Sequence, residues 1–172
     1  MSGKLLDVII KRRSVRKFRE QTVHEETILR ILKAGILAPT AKNRQEWKAV
    51  IITDKELIKK FPQICNGQEF TGTASFIIAL VSKENEYTMR CGINAGIVDS
   101  SLVMQNMVLQ AIEEGLGSCY IGSFSQEKAK ELLNVPEPMK IVQLIVVGYP
   151  AEEPEPRPRK ELKEFYSFNS YE

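Results

Sequence analysis

DSSLVMQNMVLQAIEEGLGSCYIGSF, residues 99–124, is the stretch from which the architecture can be read. Its first half carries Leu102, Val103, Met104, Met107, Val108, Leu109 and Ile112. With Ile93, Ile97 and Val98 upstream, the spacing predicts a helix from about Cys91 to Glu114. These apolar residues cover more than one narrow stripe, so the helix is expected to be buried on most sides, at the centre of the domain or against a second subunit. Gly115-Leu116-Gly117-Ser118 ends it, and Cys119 to Ile121 reads as a short strand.

Working outward, Phe76 to Val81 is a continuous apolar run, the pattern of a strand buried on both faces, and Ile141 to Val147 repeats it. Trp47 to Thr53 reads as a further strand. Between these lie helical segments: a short one from about Gly3 to Lys11, and one opened by the capping-box pattern Thr22-Val23-His24-Glu25. The second continues through Ile28, Ile31, Leu32 and Gly35 or Ile36 and ends at Ala38-Pro39. A third is capped by Asp54 and runs to about Phe61, and a fourth starts at Ser125 or Gln126 and stops near Asn134-Val135-Pro136. Strands separated by helices make an α/β or α+β sandwich of helices against a sheet. A chain of 172 residues supports one domain, residues 1–172. From Gly148 the character changes: AEEPEPRPRK is expected to be extended, and the closing Phe165, Tyr166, Phe168 and Tyr171 imply that the arm, 149–172, docks somewhere.

Composition excludes several classes of function. The net charge of +2, from 24 basic and 22 acidic residues, gives no general case for a nucleic-acid partner. Cys65, Cys91 and Cys119 form neither a C-x-x-C pair nor a zinc spacing. His24 is the one histidine, which leaves almost no material for a histidine metal site or a Ser-His-Asp triad. The opening MSGKLLDVIIKRRS indicates neither a signal peptide nor a membrane span, so a cytoplasmic location is the expectation.

Four segments could carry chemistry. In an extended chain Arg12, Ser14 and Arg16 point the same way, and arginine forks suit phosphate or the polar edge of a heteroaromatic ring; a solvated basic surface is the alternative. Arg157-Pro158-Arg159-Lys160 is a second basic cluster, which alone reads as solvent-exposed. The loop PTAKNRQEW, residues 39–47, combines amide side chains with an aromatic, suited to a planar ligand beside an apolar wall, although Trp47 is first a core anchor. Gly115-x-Gly117 and Gly122 do not form a dinucleotide loop, because they follow a helix and lack the G-x-G-x-x-G spacing. Their glycines allow backbone amides to approach a flat ligand.

Taken in order, RRSVRKF (12–18), APTAKNRQEW (38–47), residues 99–124 and VVGYPAEEPEPRPR (146–159) resemble the short members of the nitroreductase-like FMN-dependent oxidoreductases. The resemblance implies an α+β, three-layer-like fold with a mostly antiparallel central sheet flanked by helices and an extended C-terminal arm. It implies that Arg12, Arg13, Ser14 and Arg16 hold the phosphate, ribityl chain and pyrimidine side of FMN. It implies that Pro39, Thr40, Asn43 and Gln45 reach the flavin from a second subunit, and that Ile121, Gly122 or Ser123 faces flavin N5. Arg159, and secondarily Arg157, close on the phosphate, and Gln68 touches the flavin. A homodimer with FMN at the interface follows, with hydride passing from NADH or NADPH to FMN and then to an electron-poor acceptor such as a nitroaromatic or quinone, in ping-pong fashion. No catalytic side chain is implied, since the cofactor carries the chemistry. Other readings are a specialised flavin enzyme of the same scaffold (a dehalogenase, or one directed at a flavin or quinone), a non-catalytic FMN-binding dimer, and a nucleic-acid binder. The chain departs from the family's frequent Gln-Pro-Trp in having Gln45-Glu46-Trp47, which bears on the pocket mouth.

Overall fold

The computed structural model describes residues 5–83 and 87–171; Gly3 and Lys4, where the first helix was expected to begin, lie outside them. In chain order the elements are α1 (Asp7–Lys11), α2 (Glu25–Ile36), β1 (Trp47–Ile52), α3 (Lys55–Ile58), α4 (Phe61–Ile64), β2 (Phe76–Lys83), α5 (Ala95–Glu113), β3 (Gly117–Ile121), α6 (Gln126–Leu133) and β4 (Met139–Gly148). The strands form an antiparallel sheet in the order β1-β2-β4-β3.

Alternation along the central strands divides the core into two halves. Phe76, Ile78 and Leu80 of β2, with Ile145 and Val147 of β4, face α2 and α5. Ile77, Ala79, Val81, Leu144 and Val146 face the opposite side, against α3, α4 and α6. Side chains two apart lie on the same face of a strand, so an unbroken apolar run is what a sheet covered on both sides requires. The α+β, three-layer expectation therefore holds: helices, antiparallel sheet, helices.

Several boundaries differ from the sequence reading. α2 is capped at His24 with no side-chain hydrogen bond, so Thr22 and Glu25 form no capping box; Thr22 lies two residues too early. α5 begins at Ala95, because Asn94 accepts a hydrogen bond from the Ile97 N–H at 3.1 Å and Gly92, at φ +86°, ends a separate turn before it. The helix expected from Asp54 to Phe61 is two short ones. Asp54 does cap the first, through the N–H groups of Glu56 and Leu57, but Pro62 lies in the first turn of α4 and marks a new start. At the far end of α5, Gly115 takes φ +75°, the left-handed turn that releases the chain into β3.

The buried thiols follow from this packing. Burial pushes Cys65 up to about 11, partly offset by a hydrogen bond with Thr71. Cys119 is also raised by burial, against the opposing charges of Arg16 and Arg12. Both are expected to resist iodoacetamide at pH 8 in the native protein and to react in urea; fast alkylation of either in the folded state would contradict this packing. A thiol whose folded-state pKa is raised favours the fold in its neutral form. That contribution is complete below about pH 9 and is lost as pH climbs through 9 towards 11.

Candidate functional site

The basic segment is ordered from both sides. α1 ends at Lys11, and Arg13 Nη1 donates to the carbonyls of Ile10 (2.7 Å) and Arg12 (2.8 Å), satisfying backbone acceptors at the helix end. The chain then runs extended beside β3: the Val15 N–H donates to Ser118 O at 2.9 Å, and Ser14 forms a parallel bridge with Ser118. Val15 is buried while Arg16 is exposed, as alternation requires. Contact is close because Gly117 has no side chain. A Cβ there would lie 2.7 Å from Val15 Cγ2 and 2.9 Å from its Cβ.

The C-terminal arm closes over the same segment. The Arg19 N–H donates to Tyr149 O, the Ala151 N–H to Lys17 O (both 2.8 Å), and the Arg16 N–H to Glu152 Oε1 (2.7 Å). Arg12, Arg13, Ser14, Arg16, Arg157 and Arg159 consequently line one cleft of about 520 Å³, floored by Ile9 and Ile10 and carrying Glu155 among the cations. Nearby, burial pushes the Tyr120 hydroxyl up to about 12 against the charge of Arg12, and that hydroxyl donates to Gln105 Oε1 at 3.1 Å.

A second group gathers at the end of β3. Gln68 Nε2 donates to Ser123 O (3.1 Å) and to Cys65 O (2.9 Å), and Asn66 Nδ2 donates to Ser123 Oγ (2.9 Å). Ile121 is 1% exposed, so its side chain belongs to the core and only its backbone can serve a ligand. A Cβ on Gly122 would meet nothing within 4 Å, so the space beside that backbone is open. The Arg16 guanidinium lies 5.8 Å from the Phe70 ring centroid and links this group to the first. Asn66 and Phe70 were not singled out from the sequence; the Asn66-Gly67 pair was the available signal, as both take positive φ (53° and 79°).

Pro39, Thr40, Asn43 and Gln45 are elsewhere. They precede β1, on the opposite edge of the sheet from the Ser14 segment. At a strand spacing of about 4.8 Å, the four steps through β2, β4 and β3 amount to roughly 19 Å. Within one chain the two groups do not meet.

The loop's backbone is unusual: Lys42, Asn43 and Gln45 have φ of 57°, 54° and 54°. Asparagine tolerates this region, but lysine and glutamine pay about 1–2 kcal/mol each. Three braces hold it. Both Asp99 carboxylate oxygens lie 3.1 Å from the Ala41 nitrogen, the Gln45 N–H donates to Thr40 Oγ1 at 3.3 Å, and Lys42 Nζ and Arg44 Cζ lie 4.6 and 5.2 Å from the Tyr87 ring centroid. Glu46 pairs with Arg44 (Nε to Oε2 2.7 Å), while its carbonyl accepts from Ser82 Oγ at 2.8 Å. Trp47 is half-buried against the α2/α5 half of the core.

Among the described residues no group of three or more His, Cys, Asp and Glu side chains could hold a metal ion, and no helix is long and apolar enough to cross a membrane. The family model described as "Putative TM nitroreductase" matches residues 4–172. The chain belongs to the nitroreductase-like FMN-dependent oxidoreductases. Among relatives of this family, the "Putative NADH dehydrogenase/NAD(P)H nitroreductase" of Archaeoglobus fulgidus is 30% identical over 154 residues, covering 86% of each chain. The "NADPH-flavin oxidoreductase" of Vibrio harveyi is 29% identical over 165 residues, covering 90% of this chain and 69% of its own. Among solved nitroreductase-like structures, the NADPH:FMN oxidoreductase from Vibrio harveyi complexed with NAD+ superposes with a TM-score of 0.86 at 27% identity, covering 96% of this chain and 77% of that one. An FMN-dependent nitroreductase from Clostridium difficile superposes with a TM-score of 0.84 at 28% identity, covering 95% and 98%.

Proposed function

We propose that the chain is one subunit of a homodimeric FMN-dependent oxidoreductase that takes reducing equivalents from NADH or NADPH and passes them to an electron-poor acceptor such as a nitroaromatic or quinone. The observation that carries this reading is the meeting of the two arginine clusters, from opposite ends of the chain, in one cleft. Either cluster alone would be ordinary surface.

The donor set fits FMN. Arg12, Arg13, Ser14, Arg16, Arg157 and Arg159 supply fixed cations and a hydroxyl to an anionic phosphate and a polar ring edge, with Arg159 ahead of Arg157. The open backbone at Ile121, Gly122 and Ser123, with Gln68 alongside, gives a flat ring system room against main-chain amides. When bound, FMN supplies the two-electron chemistry, accepting a hydride and returning it to the second substrate. The residues bind, orient and offset charge; none is assigned as general acid or nucleophile.

A second copy of the chain supplies the remaining residues. Pro39, Thr40, Asn43 and Gln45 lie too far from their own chain's cleft, so the flavin they serve is held by the partner. Ile97 and Leu102 on α5, and Ile36 and Leu37 at the end of α2, are exposed, and Phe165 and Phe168 of the arm are more than three-quarters exposed. We read these exposed apolar side chains as the face that meets the second copy. Phe165, Tyr166, Phe168 and Tyr171, from which docking of the arm was expected, are exposed on their own chain, and in this reading they pack against the second copy.

Reconstitution with FMN is expected to give a yellow dimer that bleaches anaerobically on adding NADH or NADPH and regains colour with an acceptor. Protein that retains no flavin absorbance would refute the reading, and tight FMN without bleaching by either nicotinamide would reduce it to a binding protein. An acceptor panel then separates nitroaromatic and quinone reduction from dehalogenation. A further expectation concerns Gly117→Val. Its side chain would drive Val15 off β3 and tilt the arginines, weakening FMN by about 10–100-fold at an overpacking cost of about 1–3 kcal/mol, measurable by flavin fluorescence titration.

A further inference from the structure

We propose that Asp99 is a positioning residue: through the Ala41 N–H its buried carboxylate fixes the Thr40–Gln45 loop in the left-handed form that presents Thr40, Asn43 and Gln45 to the cofactor of the second copy. The inference rests on the function proposed above.

Asp99 is 7% exposed, in the second turn of α5, and both its oxygens lie 3.1 Å from one backbone nitrogen. The helix itself does not call for a carboxylate there, because Asn94 already caps it through the Ile97 N–H. Burying a carboxylate is costly unless it is paired or hydrogen-bonded, and the hydrogen bonds that Asp99 makes among the described residues run to the loop. Ala41 is the first residue of the turn Ala41–Asn43, whose amide has no intrahelical acceptor, so the carboxylate satisfies an orphan donor and pins the turn at its start. The next residues, Lys42 and Asn43, and then Gln45 are left-handed. A segment in that conformation persists only where its surroundings over-determine it. The brace on the other side sets two exposed cations on the half-buried Tyr87 ring and is correspondingly weaker.

Lys42 and Arg44 make the loop its own reporter, since trypsin cleaves after either once the loop opens. Limited trypsin digestion of the apoprotein, read by mass spectrometry, is expected to cut Asp99→Ala at these positions at least tenfold faster than wild type. Asp99→Asn retains an acceptor and should remain slow. In flavin titrations Asp99→Ala should bind FMN about tenfold more weakly and show an altered visible circular dichroism band, with Asp99→Asn close to wild type. If Asp99→Ala does not fold, Ala41→Pro removes the same bond from the donor side, at a position where proline suits the start of a turn. Unchanged cleavage overturns the inference, as does a loosened loop with unchanged flavin affinity and spectrum, or failure of Asp99→Asn to restore both. Wild-type protein that binds no FMN overturns instead the functional reading, and the cofactor half of this inference with it, while the cleavage result still decides whether Asp99 anchors the loop.

Discussion

Arg12→Ala/Arg159→Ala protein is expected to leave gel filtration colourless, with its affinity for FMN lowered by about 10²–10⁴-fold. The two side chains come from opposite ends of the sequence and line the same cleft. Each carries a fork of donors suited to an anion, and a hydrogen bond to a charged group contributes about 1.5–3 kcal/mol. Each single variant should lose about 10–100-fold, and the range for the double variant is what the two losses give when their free energies add; coupling through the shared ligand would show as a departure from that product. Circular dichroism should be unchanged, since the hydrogen bond that the Arg159 side chain makes among the described residues runs to the adjacent Pro158 carbonyl. Flavin affinity equal to wild type in both single variants would show that the cleft is not the FMN site. High salt should weaken wild-type binding in the same direction by screening.

Phe76→Ala is expected to produce the largest loss of stability. Phe76 opens β2, is 0% exposed and packs in the α2/α5 half of the core, paired in register with Val147. Removing a fully buried ring costs about 3–5 kcal/mol, the cavity adding to the lost transfer energy. For a chain of this length each kcal/mol lowers Tm by about 2–4 °C, so a fall of roughly 6–20 °C should appear in a thermal melt. A change of a degree or two would mean that the sheet collapses onto the vacated space or that the packing is not as described.

The sequence was most legible where the signal is local. The apolar runs of β2 and β4 announced strands covered on both faces, and Gly115 and Asp54 marked a helix end and a helix start where the structure has them. It was least legible where a choice between neighbouring residues is made by the rest of the fold. Thr22 and Asn94 are both good caps by residue type, yet Asn94 caps α5 and Thr22 caps nothing, because the chain turns into α2 only at His24. The departure at Glu46 could be seen, but its consequence, a pair with Arg44 beside the Tyr87 ring, could not. Asp99 gave no sign at all, since an acid in a helix is unremarkable until its partner is known to be a loop amide 58 residues away.

By itself the sequence determined the four strands, the longer helices and their order, because helix and strand periods, glycine turns and proline breaks act over a few residues; that two short helices follow Asp54 appeared only in the structure. Through the ordered set of its motifs it also determined the family. Only the tertiary structure decided that Arg12 to Arg16 and Arg157 to Arg159 share a cleft and that Pro39 to Gln45 stand at the opposite edge. The reason is physical. Arg19 to Tyr149 and Ala151 to Lys17, two of the three contacts that bring the ends together, are backbone hydrogen bonds that almost any residues could make, and the third, the Arg16 N–H to Glu152 Oε1, uses an acid that no local pattern marks.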